Sequence, residues 1–313
     1  MLTLETSGIK GITSFTKYDS GELKDCRLDE YNLISTKYGG LVPQYGDPGI
    51  RRKQLKALSF YKSGKIRSIS LERQTEISTS IGTFPAELIT FFENGSIESL
   101  FPLNGQISAS WSEEEEGTLA QKFEFTFPFG SFNAKIIGLR FYQNGKVRSL
   151  ILWPNERITV DTPAGKIPVR IGFKLFEDGS RESVEPAEPI TVKTPIGLIN
   201  AYDQNALSMD ADKNSLRFGR KGRLTSLFTS DLIIVRKSNG EREIISPKLK
   251  PGLMEAEFEE VPVKLLFDGD IAIIDNGVKA ADYKIAECTF RIIRGNYMGV
   301  KNCGNCSDCT HCM

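Results

Sequence analysis

Four cysteines close this 313-residue chain at C-x2-C-x2-C-x2-C spacing: Cys303, Cys306, Cys309 and Cys312. The single histidine, His311, stands between the last two, and the only other cysteines are Cys26 and Cys288. Thiolates bind soft and borderline metals, and four of them complete a tetrahedral zinc site or an iron–sulfur cluster. A two-residue gap lets neighbouring sulfurs turn back toward one centre, and Gly304 with the small polar residues permits the turns. The four cysteines are therefore the candidate metal ligands. His311 would compete sterically with the adjacent Cys312 thiolate and is expected outside the ligand set. The same residues suit two other chemistries: thiol redox exchange, and covalent modification of the cysteines by a partner enzyme. Their crowding into the last eleven residues fits a reducing compartment better than a disulfide framework.

The run resembles the bacterial ferredoxin motif C-x2-C-x2-C-x3-C-P. It departs from that motif at the last gap and lacks the proline, and no second cysteine set follows. The resemblance implies a self-contained four-iron cluster. Zinc sites more often pair two C-x2-C knuckles across a longer insert.

The rest of the chain offers little catalytic equipment. With its one histidine in the tail, the body has no Ser-His or Cys-His relay. Asp268 and Asp270 around Gly269, and Asp210 with Asp212, have the composition of an acid–base pair but read as turn formers. There is no P-loop, no G-x-G-x-x-G opening a helix and no H-E-x-x-H. Trp111 and Trp153 read as core or edge aromatics. Forty basic and forty acidic side chains give zero net charge, so nothing in bulk attracts nucleic acid or an anionic membrane. The basic stretches Arg51-Arg52-Lys53 and 217–223 are expected in solvated turns and strand edges. Met1 to Thr6 carry neither a basic n-region nor an apolar h-region, and no apolar run approaches a membrane span. The expectation is a soluble cytoplasmic protein.

What must position the tail is a repeat. Six times an aromatic or apolar residue, a polar pair and a glycine lead into a return strand, around Gly21, Gly64, Gly95, Gly145, Gly179 and Gly222. These are β-hairpin signals. The better register is a type I turn with a glycine bulge, which sets the residue four before the glycine opposite the residue two after it and requires φ > 0 at the glycine. In that register Leu58, Phe60 and Ile66 fall on one face, with Tyr61, Arg67 and Ile69 on the other. The residue five after each glycine is apolar, from Cys26 to Leu227, so the sheet is expected to be covered on both sides. Cys26, in that column, is expected in the core, and Cys288 on a strand. A second turn alternates with the first, as Thr162-Pro163-Ala164-Gly165 and Thr194-Pro195-Ile196-Gly197 show.

Each repeat is thus a double hairpin, and the fold class is all-β: an antiparallel meander of hairpins in an extended or rolled sheet, with a short Cys-rich tail. No segment has a sustained helical period. Residues 111–119 and 203–214 read as loops, and Glu113 to Glu116 as a solvated tip. The division expected is a hairpin-repeat domain over 1–230, a C-terminal β region over 231–298 and the tail over 299–313. The Phe141-Tyr142-Gln143-Asn144-Gly145-Lys146 unit and its copies, over about 10–230, are similar to the strand–turn units of MORN-type repeat proteins, though the period here is longer and uneven. That resemblance implies an extended twisted sheet and an interaction role, with no catalytic residue. The functional expectation is a non-catalytic scaffold with a protein partner and a tail binding zinc or an iron–sulfur cluster. An enzyme or electron carrier working through the tail, and a tail modified by another enzyme, are the alternatives.

Overall fold

A computed structural model describes residues 8–53, 56–206, 211–251 and 258–295. The described chain is an antiparallel meander of β-hairpins, as the repeat predicts. It divides into two compact units. One holds the described residues up to Glu185 with 211–214 and 218–223; the other holds 186–206, 215–217 and the described residues from Leu224 onward.

Each repeat turn closes in the same way. In the second copy Tyr61 N–H donates to the Lys65 carbonyl at 2.8 Å and Gly64 N–H to the Tyr61 carbonyl at 2.9 Å. Gly64 has φ +76°, and the glycines of the other five copies also have positive φ. No Cβ is tolerated there without strain, so glycine is required by conformation. Phe60 pairs with Ile66, Phe91 with Ile97 and Phe141 with Val147, which is the bulged register expected. A seventh copy closes around Gly240, where Lys237 N–H donates to the Glu241 carbonyl.

The bulge also corrects the assignment of faces. Leu58 pairs directly with Ile69, and directly paired residues share a face. In the first four copies the residue three after the glycine is the extra one, and it resets the alternation so that the next apolar residue returns to the core side. In the first unit this builds one cross-strand row through nine strands: Phe15, Cys26, Leu58, Ile69, Ile89, Leu100, Leu139, Leu150 and Phe173. All but Phe15 are essentially inaccessible to solvent. A parallel row covers the other face: Thr16, Asp25, Ser59, Ser68, Thr90, Ser99, Arg140, Ser149 and Lys174. One face is thus hydrocarbon and the other mainly hydroxyl, with charges at Asp25, Arg140 and Lys174.

Successive hairpins are tied by a tyrosine brace. Tyr18 Oη donates to the Phe60 carbonyl, Tyr61 Oη to Phe91 and Tyr142 Oη to Leu175, at 2.7–2.8 Å. Each tyrosine stands three residues before its glycine, and each acceptor four residues before the next glycine that it reaches. The second turn is a Thr-x-x-Gly bracket. The hydroxyls of Thr36, Thr79, Thr162 and Thr194 donate to the carbonyls of Gly39, Gly82, Gly165 and Gly197. The same oxygens accept a backbone N–H two residues on.

One expected loop holds an ordered helix, and another carries a single 3-10 turn. Glu113–Leu119 is a short α-helix with Ser112 as N-cap: Ser112 Oγ accepts from Glu115 N–H, and Glu115 returns a bond to Ser112 N–H. Ser112-x-x-Glu115 is a capping-box sequence, and it outweighs the lack of an apolar period. Ala211–Lys213 is a 3-10 turn. In the second unit Leu232–Lys237 pairs with both Arg242–Ile245 and Cys288–Ile293, and Val263–Asp268 with Ile271–Asp275, all within the β region expected over 231–298.

Candidate functional site

Cys303, Cys306, Cys309, Cys312 and His311 lie outside the described residues. The structure does show where the chain leading to them is held. Cys288–Ile293 is paired along its whole length with Leu232–Lys237, ending at Ile293 opposite Leu232. Two residues later Gly295 N–H donates to Asp231 Oδ1 at 2.9 Å. Asp231 is 1% exposed. Its other oxygen accepts Asn200 N–H at 2.8 Å. A Cβ at Gly295 would stand 1.9 Å from the Ser230 carbonyl oxygen, so only glycine allows the approach. The last described residue is thus locked to a buried carboxylate, with seven residues, 296–302, between it and Cys303.

The two remaining cysteines occupy structural positions. Cys26 is in the apolar row at 1% exposure. Burial, reinforced by the Asp25 charge, pushes its thiol up to about 11, so it stays protonated. Cys288 is half-buried on its strand opposite Lys237. Neither forms a disulfide. Among the described residues no group of three or more His, Cys, Asp or Glu side chains could hold a metal ion.

The carboxylates singled out from sequence separate. Asp268 and Asp270 are exposed on either side of the Gly269 turn. Asp212 is bonded to two guanidinium groups, Arg140 and, at 2.9 Å, Arg148, while Asp210 lies outside the described residues. The acidic run and the basic stretch at 51–53 are not simply solvated. Arg51 makes paired bonds to Glu87 at 2.8 and 3.0 Å and to Glu116 at 2.7 Å twice. Glu87 and Glu116 are 6% and 3% exposed. The Glu116 bonds first, then those of Glu87, hold the Arg51 guanidinium above its ordinary range against the opposing effect of burial. Trp111 Nε1 donates to Glu116 at 3.0 Å and Asn104 N–H to Glu87 at 3.0 Å. Arg52 donates to the Leu71 and Glu72 carbonyls. This cluster joins segments far apart in sequence, and although the capping box at Ser112 signals the helix, nothing local signals that Glu116 faces inward.

A shallow groove of about 190 Å³ is lined by Tyr38, Thr79, Ile97 and Phe141 with small neighbours. No carboxylate, imidazole or thiol lines it, so it offers no acid–base pair. No described helix is long and apolar enough to cross a membrane. Comparison of the chain with protein-family models, with curated proteins and with solved structures returns no match.

Proposed function

We propose that the protein is a non-catalytic β-hairpin scaffold that binds another protein and carries a thiolate metal site in its C-terminal tail. The observation that carries this reading is the tail sequence itself, four cysteines at a regular two-residue spacing, attached to a strand and a glycine that Asp231 holds in place. The ligand set suits a four-iron cluster or a tetrahedral zinc. The scaffold half rests on the rows: they account for the repeat's aromatic and apolar residues as packing and leave its polar residues as braces and caps.

Purification without oxygen, with iron, sulfide and zinc measured beside the visible spectrum, tests the metal site. Stoichiometric metal that is lost in Cys306→Ser/Cys309→Ser supports it. Metal-free protein with unmodified thiols overturns it, and a mass increase on the tail without metal favours the cysteine-modification reading instead.

A further inference from the structure

The apolar row is sealed at eight positions and open at the ninth. Phe15 is 57% exposed, whereas Cys26 beside it is 1% exposed. Every residue of its strand, Ile12–Lys17, is exposed. Lys17 Nζ lies 5.6 Å from the Phe15 ring centroid and does not bury it. An exposed strand that ends a buried row is an open hydrogen-bonding template.

The direction of its backbone groups follows from the neighbouring strand. Ala57 N–H donates to the Cys26 carbonyl, so Cys26 turns its backbone bonds away from Phe15. Phe15 and Cys26 are then a non-hydrogen-bonded pair, and the N–H and C=O of Phe15 point outward from the sheet edge. A strand added there antiparallel would bond directly to Phe15.

We propose that the added strand is Ile12–Lys17 of a second copy of this chain, with Phe15 opposite Phe15 on a two-fold axis. The segment is self-complementary in that register. Phe15 meets Phe15, which extends the apolar row from one copy into the other. Ser14 meets Thr16 of the second copy, so hydroxyl meets hydroxyl and the polar row continues as well. Lys17 meets Thr13 of the second copy, so the two lysines do not oppose each other, and the strand holds no carboxylate. The outward backbone groups of Phe15 satisfy those of its counterpart, as an isologous contact requires. The inference rests on the scaffold reading only in using its sheet edge; metal loading of the tail reports on that reading whichever way the edge behaves.

Sedimentation velocity of the full chain under reducing conditions, over a concentration series, tests the pairing. The expected result is a monomer–dimer equilibrium that Phe15→Lys weakens by roughly tenfold or more, as for loss of a central aromatic contact. Because Phe15 is exposed, Phe15→Lys leaves the fold intact, and circular dichroism checks that. As a second measurement, a photo-crosslinking phenylalanine analogue at position 15 gives crosslinked dimer, and the same analogue at Tyr31, also exposed, does not. A monomer at all concentrations, or a dimer indifferent to Phe15→Lys and crosslinked equally from both positions, overturns the proposal.

Discussion

At the scale of single residues, the tyrosine braces are a repeated experiment within one chain. Three copies have tyrosine before the turn and donate to the next hairpin; the third and fifth copies have Phe92 and Phe176 and lack the donor. Tyr142→Phe should cost about 1 kcal/mol, the net worth of one hydrogen bond. Phe92→Tyr should recover a similar amount by reaching the Phe141 carbonyl, the acceptor in the equivalent position. Urea unfolding of both variants checks the pair. Asp25 makes a different prediction. Burial raises its pKa, but bonds from Lys56, Thr16 and Ser59 outweigh that, and the carboxyl titrates below its ordinary value. Its stabilising contribution is complete above the unfolded carboxylate value near pH ~3.9 and is lost as pH falls through the lower folded value. Stability followed from about pH 5 to pH 2 should therefore fall more steeply for the natural protein than for Asp25→Asn.

Among the elements, the Glu113–Leu119 helix depends on one distant contact. Its buried Glu116 is neutralised by Arg51, which also holds Glu87. Arg51→Ala leaves two carboxylates without their cation and should cost about 3–5 kcal/mol, measurable as a fall in the urea midpoint. The same contact shows where sequence reading succeeds and where it stops. The hairpins were legible because turn chemistry is local: glycine at φ > 0 and residues four before and two after it specify the bulge within seven residues. The face of Ile69 was not legible by counting, because one extra residue resets the alternation. Arg51 and Glu116 were not legible either. Each is a charged residue in a run of charges, and only the tertiary fold brings them within hydrogen-bonding distance. Cys26 was legible as core because its column is apolar in every other copy.

For the whole molecule, the two cross-strand rows divide labour between hydrocarbon on one face and hydroxyl groups on the other, and the Asp231–Gly295 lock fixes the chain short of the cysteines. Of the candidate site, the four cysteines and their spacing stand in the sequence, while the lock was not legible there, since Asp231 looks like an ordinary turn residue before Leu232. The unequal lengths of the repeats have a consequence for how such a chain can change. Glycine-to-glycine spacings of 43, 31, 50, 34 and 43 residues leave the rows in step, because each repeat contributes two strands whatever its length. The variation is taken up in the connections between Leu41 and Leu58, between Phe101 and Lys122 and between Ala201 and Leu216; the shortest repeat, Gly64 to Gly95, has no such connection, and its strands Ile66–Thr79 and Gly82–Phe91 run from one turn to the next. Insertions and deletions of whole residues in those connections would therefore be close to neutral, whereas a single residue gained beside a bulged turn would invert every side chain beyond it. Grafting foreign loops onto this protein has its permissive sites in those connections and at neither kind of turn.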